Sequence, residues 1–401
     1  MTQGTTPPFV SQQRHGAPVF SSDLEVQVVS TREGLSNLES EYSRLHEASG
    51  NVLPFALHEW HLAWWDHFAQ ASKRIRDSLR IHVVRDRGNP IGLVPLVLTE
   101  REFARFTIGT MGLLGADPNV TELRNPLVVP GAEARVVSAV QKRLAKARGW
   151  DWSHWSCSEG PLSEALHASA AIDWKEPILD YVLDLAPTWD AFRSGLKRNI
   201  RESLRHCYNS LKREGMTFDF EVATTPDDVH RGVETFLRLH GLRAMMTGTV
   251  KHPNRFASDV SRRFLVDVCS RMARRGAARV FLLRIRGEVV AARLAFVVGK
   301  SLYLYYSGFD PEWAKYGVST TVMAEAVKYA IALGLSTVNL STGTDPSKTR
   351  WGARPVTFQA GVQTHPQVRS QIAYAAYRRV LENRSRWLEP VIARVPKRFW
   401  G

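Results

Sequence analysis

One order of elements occurs twice along this chain: a hairpin, a third strand, a loop, a helix closed by glycine, and another strand. In the second half, residues 278–286 (ARVFLLRIR) are apolar and β-branched, Arg286-Gly287-Glu288 is a turn signal, and 289–298 read as the returning strand. Gly299-Lys300 turns the chain into a third strand at 302–306. After a loop with Pro311 and Gly317, apolar residues at helical spacing (Val318, Val322, Ala326, Tyr329, Ala330, Leu333) run up to Gly334. Short strands follow at 336–340 and 357–363. In the first half, 79–84, 91–98 and 106–114 read as strands around the turn Arg87-Gly88-Asn89, 133–148 as a helix stopped by Gly149, and 150–156 as a strand. The repeat lies in the order of elements rather than in matching residues. It predicts an α/β (α+β) chain of two tandem domains, each a mixed, mostly antiparallel sheet flanked by helices. The expected boundaries are a tail at 1–22, domains at 23–178 and 179–366, and a C-terminal helix at 367–401.

A length of 401 residues suits two cores better than one. The first 22 residues are rich in Thr, Gln, Pro and Ser and have neither the basic start nor the apolar stretch of a signal peptide, so a disordered tail is expected. No apolar run approaches the ~20 residues of a membrane helix. Cys157, Cys207 and Cys269 show neither metal-ligand spacing nor a disulfide framework, which fits a reducing cytoplasm. A formal net charge of +14 attracts polyanions such as RNA, phosphorylated cofactors or acidic lipid.

Two helices stand out. Trp60, Trp64 and Phe68 recur every four residues in 57–68, the pattern of a packed face. His58 and His61 share that helix without a third ligand, so no metal is expected. Residues 189–212 read as one long helix with Phe192, Leu196, Ile200 and Leu204 as its buried stripe. One residue on, Arg193, Lys197, Arg201 and Arg205 form a like-charged stripe that opposes itself unless an anion binds. It is either a solvated outer face or a binding edge for a phosphorylated or nucleic-acid ligand.

The segment 307–321 (SGFDPEWAKYGVSTT) joins a strand to a helix through small residues. A helix start offers unpaired N–H groups and a partial positive charge to a phosphate. Gly317 permits close backbone approach, Ser319 and Thr320 keep the first turn small, and Lys315 adds charge. At the matching place in the first half, Pro130-Gly131-Ala132-Glu133 puts an acid where a phosphate would sit. One active site is therefore expected, in the second half, with the first half as scaffold and acceptor-side wall. Gly343-Thr-Asp-Pro-Ser-Lys-Thr is not a P-loop, because Ser347 replaces the glycine before Lys and Gly352 and Pro355 interrupt any following helix.

These features together resemble the GNAT N-acyltransferase superfamily, and within it the double-domain branch of CelD-like acetyltransferases and Fem peptidyltransferases. The motifs carrying the resemblance begin with Trp60-His-Leu-Ala-Trp-Trp, Leu93-Val-Pro-Leu96 and Leu113-Leu-Gly115. They continue with Leu196-Lys-Arg-Asn-Ile-Arg, Phe236-Leu-Arg-Leu-His-Gly-Leu-Arg243, Tyr316-Gly-Val-Ser and Gly343-Thr-Asp-Pro-Ser-Lys-Thr-Arg-Trp351. The resemblance spans about 24–364 and implies two GNAT-like domains. It also implies transfer of an acyl group, acetyl by family habit, from acetyl-CoA or another acyl-CoA to a small-molecule or sugar amine. The donor would lie along Tyr305, Tyr306, Lys315, Tyr316, Gly317, Val318, Ser319 and Thr320, with backbone N–H groups at 304–306 for the developing oxyanion. Asp345 is the leading general base, His240 the second candidate, and Lys348 a catalytic cation on the closing loop. Lys197, Arg201, Arg243 and Trp351 are the expected substrate contacts. One departure is plain: the family's Gln or Arg three residues before the loop glycine is here Ala314. With the basic helix, it leaves an aminoacyl-tRNA donor as the alternative, and a non-catalytic RNA-binding protein as the rival of another class.

Overall fold

The computed structural model describes residues 24–103, 106–117, 119–246 and 252–387; the tail expected at 1–22 and the end of the C-terminal segment lie outside them. The first half comprises β1 (Leu24–Val29), α1 (Arg32–Ser36), α2 (Glu39–Ala48), α3 (His58–Phe68), β2 (Ile75–Asp86), β3 (Asn89–Phe103), β4 (Phe106–Leu113) and the short β5 (Leu127–Val128). It continues with α4 (Glu133–Lys146), β6 (Trp152–Ser158), α5 (Pro161–Ser169), β7 (Ile172–Trp174) and β8 (Ile178–Asp184). The second half begins with α6 (Trp189–Gly195), α7 (Arg198–Arg213), β9 (Phe218–Ala223), α8 (Pro226–Ala244), α9 (Asp259–Arg274), β10 (Ala278–Ile285), β11 (Glu288–Val298) and β12 (Ser301–Phe309). It ends with α10 (Val318–Ala332), β13 (Thr337–Thr342), α11 (Pro346–Thr349), β14 (Arg354–Thr364) and α12 (Val368–Trp387).

The repeated order becomes a repeated topology. β1-β2-β3-β4 are antiparallel neighbours and β6 joins β4 in parallel; β9-β10-β11-β12 and β13 repeat this. The fold is thus two tandem units of mixed, mostly antiparallel sheet with flanking helices. Their closing strands are exchanged: β8 pairs with β13 of the second unit, β14 pairs with β6 of the first, and β8 pairs with β14. One 14-stranded sheet results.

The cores follow from this. The largest is shared between the halves, with Tyr42, Phe55 and Trp60 packed among Phe264, Phe296 and Tyr303. Trp60 meets Phe264 edge-on at 5.3 Å, so the Trp60–Trp64–Phe68 stripe is the seam between the units. His58 and His61 are buried on this helix, bonded to the Leu35 carbonyl and the Tyr42 hydroxyl respectively. On the second unit, α8 and α9 belong to the shared core, while α7 and α10 pack in a separate core containing Leu204 and Val322.

Three local features bear on the sequence reading. The long helix expected at 189–212 is two, because Leu196 and Lys197 are extended between α6 and α7; the stripe Phe192, Leu196, Ile200 and Leu204 is still buried. The P-loop-like segment holds only the single turn α11 between two strands. In α12 the apolar residues Ile372 and Val380 are exposed, whereas Tyr374 and Tyr377 pack on Trp152. The helix therefore packs where β6 and β14 pair, on Trp152 of the first half and Val362 of the second.

Candidate active site

The cleft begins where two strands part. β12 and β13 pair in parallel only from Ser301↔Thr337 to Tyr303↔Asn339. Just beyond, Tyr305 and Tyr306 of β12 oppose the single Leu294 of β11, a bulge that turns β12 away. β13 is irregular between Asn339 and Thr342, and Ser341 has φ 70°, a left-handed conformation that serine adopts at a cost. The opening is a cleft of about 640 Å³. Ser319, Thr320 and Met323 of α10 line it on one side, His240 and Arg243 of α8 on another, and the loop at Asp117, Thr121, Glu122 and Arg124 of the first unit closes it.

That loop is fixed by hydrogen bonds. Asp117 Oδ1 accepts from the N–H groups of Asn119 (2.7 Å) and Val120 (3.2 Å), which shapes the turn. The second unit then holds it from above. The Tyr306 hydroxyl donates to the Asn119 carbonyl at 2.8 Å, the Tyr305 hydroxyl to the Val120 carbonyl, and Arg255 Nη1 to Asn119 Oδ1 at 2.9 Å. Trp60 Nε1 donates to Thr121 Oγ1 at 3.0 Å.

The purpose of so firm a loop is Glu122, which sequence reasoning passed over. Its Oε2 accepts from the Tyr303 hydroxyl at 2.6 Å, and the Ser341 hydroxyl also bonds its carboxyl group. Burial pushes the carboxyl up to about 7; the two hydroxyls and the field of Lys348 restrain the rise, and Asp180 adds to it. A carboxylate that titrates near neutrality inside a cleft is suited to taking a proton from an amine. Below it, Asn339 Nδ2 donates to Asp180 Oδ2 at 2.6 Å, while Asn339 Oδ1 accepts from the Ser341 N–H at 2.7 Å. The exchanged strand β8 thus supplies Asp180, which steadies the strained Ser341.

The residues expected from sequence divide between cleft and core. Asp345 and Lys348 line the cleft. Lys348 Nζ donates to the Thr342 carbonyl and to Ser341 Oγ at 3.4 Å; burial lowers its affinity for a proton, opposed by Glu122. His240 also lines the cleft, but both ring nitrogens are engaged. Arg255 N–H donates to Nε2 at 3.4 Å, which leaves the proton on Nδ1 for the Ser307 carbonyl at 3.0 Å. With burial lowering its pKa as well, His240 fits the role of a neutral positioning group better than that of a base.

Of the donor-side residues, Tyr305, Tyr306, Ser319 and Thr320 border the cleft. Gly317 adopts φ 66°, and a Cβ there would stand 2.5 Å from Cys207 Sγ, so its close approach is to α7. Val318 is core, Tyr316 is buried with its hydroxyl on Glu214, and Lys315 is exposed near the same carboxylate at 3.9 Å. Trp351 is fully buried beneath the loop, Lys197 is exposed and Arg201 half-buried with neither lining the cleft, and Arg243 is in the cleft. Arg350 is a gain: it lines the cleft and Nη2 donates to Thr320 Oγ1 at 3.2 Å on the first turn of α10. α10 has no capping side chain, whereas α6, α8 and α9 are capped by Thr188, Thr225 and Ser258.

Cations dominate the lining: Arg124, Arg243, Arg255, Arg293, Lys348 and Arg350, against three carboxylates. A second, basic groove of about 560 Å³ lies between α6 and α7, bordered by Arg193, Arg198, Arg201 and Arg205. At the start of α4, which corresponds in the first unit to the start of α10, a depression of about 100 Å³ is bordered by Glu133 and Glu159. No group of His, Cys, Asp and Glu among the described residues is arranged to hold a metal, and no described helix is long and apolar enough to cross a membrane.

Residues 198–349 match the family profile described as an acetyltransferase (GNAT) domain. Among solved structures, FemX superposes with a TM-score of 0.57 at 12% identity, over 84% of this chain and 96% of that one. A conserved protein of unknown function from Bacteroides thetaiotaomicron superposes with a TM-score of 0.52 at 8% identity, over 84% of this chain and 100% of that one. At such identities the likeness is one of fold. No curated protein matches the sequence.

Proposed function

From a chain that carries a GNAT domain within a double-domain GNAT-like fold, we propose an N-acyltransferase that moves an acyl group from acyl-CoA to an amine, with Glu122 as general base. The observation that carries this reading is Glu122 itself: a carboxyl held near pH 7 beside the β12 bulge, in a cleft that also reaches the uncapped start of α10. The donor's phosphates would meet the N–H groups of that helix start, the hydroxyls of Ser319 and Thr320, and Arg350. Arg350 supplies the cation that Ala314 does not. The acyl carbonyl would lie against the backbone at Tyr305–Tyr306, whose N–H groups face the developing oxyanion. The amine nitrogen attacks the carbonyl carbon, the C–S bond breaks, Glu122 takes the amine's proton, and Lys348 offsets the negative charge of the leaving thiolate.

The α6–α7 groove supports a second donor, an aminoacyl-tRNA. Arg193 of α6 joins Arg198, Arg201 and Arg205 of α7, the helix whose Cys207 packs on Gly317, so a polyanion bound there would reach the start of α10. Thermal shift with acetyl-CoA, longer acyl-CoAs and aminoacyl-tRNA separates the two. Acyl-CoA is expected to raise Tm at micromolar concentrations; stabilisation by aminoacyl-tRNA alone would transfer the site to the second reading, and by neither would remove both.

A further inference from the structure

We propose that Arg243 and Arg293 form a subsite for a carboxylate or phosphate group carried by the amine acceptor. This rests on reading the cleft as an acyl-transfer site. Arg293 stands on β11 opposite Ser307, just past the bulge, and lines the cleft. Its side chain is half-buried, its Nε has no partner, and no described residue forms a hydrogen bond or ion pair with its guanidinium. Burial, with the nearby charge of Arg243, brings its pKa down to about 10. Arg243 reaches the same place from α8: Nη1 donates to Ser307 Oγ at 2.8 Å and Nη2 bonds His252 Nε2 at 3.0 Å, while its Nε is also unpartnered. Asp345 supports the charge of Arg243, but no carboxylate supports that of Arg293.

Two guanidinium groups that share one cleft and are each half-buried repel each other and lose part of their hydration, an arrangement that a planar or tetrahedral oxyanion reverses. The donor's phosphates already have the start of α10 and Arg350. Arg243 comes from α8, which packs in the shared core, whereas α10 packs in the other. The oxyanion therefore belongs to the acceptor, which is an amine bearing a carboxylate or phosphate rather than a neutral amine.

The test is thermal shift of the full chain with inorganic phosphate and with acetate, each alone and over saturating coenzyme A. At least one anion is expected to raise Tm in both conditions. In Arg243→Met and Arg293→Met the half-saturating anion concentration should rise about tenfold or more, with the coenzyme A shift retained. Without ligand, Arg293→Met should melt above the wild type, since it removes a half-buried charge that no carboxylate supports; a structural arginine would give the opposite. The proposal fails if coenzyme A abolishes the anion's effect, if the variants keep it, or if Arg293→Met is destabilised. Absence of a coenzyme A shift would instead count against the donor reading, leaving the anion result on the free protein to stand separately.

Discussion

Glu122 shows how much of this site depends on a single environment. Its sequence context, Asp-Pro-Asn-Val-Thr-Glu, offers no catalytic pattern; the chemistry arises from Tyr303, Ser341 and Lys348, distant in sequence and gathered around it by the fold. Glu122→Gln should lower kcat by about 10²–10⁴ and flatten the wild type's rise in rate through pH 7. The same shift affects stability with a definite sign. A carboxyl raised from 4.5 to about 7 holds its proton more tightly when folded, so the wild type loses stability between those values as pH rises. Relative to the wild type, Glu122→Gln should therefore gain roughly 2–3 kcal/mol between pH 5 and pH 8, read by urea denaturation at both. Ser341→Gly divides the roles differently. It relieves a left-handed serine, worth roughly 1 kcal/mol, but removes a hydroxyl that restrains the Glu122 pKa. The two effects oppose each other in stability at neutral pH, whereas the pH–rate limb should move upward; an unmoved limb would separate Ser341 from the base.

At the scale of elements, most of what the sequence announced was periodicity. The hairpins at 278–298 and 79–98 and the helices at 318–333 and 133–148 were legible because turn glycines and apolar spacing are local signals. What decides the site is not local. The parting of β12 and β13 depends on a bulge that only the register with β11 reveals. Asp345 and Lys348 were found because a strand, a loop and a cation lie together in sequence; Arg350 and Arg293 were not, because their role comes from where they point. The duplication held a signal for Glu122: the loop of the first half that corresponds to 307–317 is the one that carries it. The close pairing of α8 with β12 gives a test. A Cβ on Gly308 would stand 2.3 Å from the His240 backbone nitrogen. Gly308→Ala must push α8 outward, at a cost of about 3 kcal/mol, and carry His240 and Arg243 with it. Activity should fall more than the fraction folded at 25 °C accounts for; a variant that loses stability alone would show the helix position to be unimportant.

For the whole molecule, the exchanged strands make the two units one mechanical body, although the repeat suggests two. β8 follows the first unit in sequence but completes the sheet of the second, and β14 does the reverse. The shared core removes any apolar surface on which the units could separate cheaply. Trp60 packs on Phe264 and Phe296, and ion pairs such as Arg271–Asp66 (3.0 Å) and Arg275–Glu59 (3.1 Å) border the seam. This bears on the proposed function, since the cleft takes Glu122 from one unit and the start of α10 from the other. Independent units would melt in two steps, with the catalytic arrangement lost at the first. Exchanged strands and a common core instead predict one calorimetric transition, with van't Hoff and calorimetric enthalpies equal. They also predict that the fragment 198–349 will not fold alone, because it lacks β8 beside β13 and exposes the face of the shared core that α3 covers. The two halves, 24–186 and 187–387, expressed together from separate messages, should recover folded protein where each alone does not. A soluble, cooperatively melting 198–349 fragment would show that the second unit stands by itself and that the first contributes Glu122 only as a detachable wall.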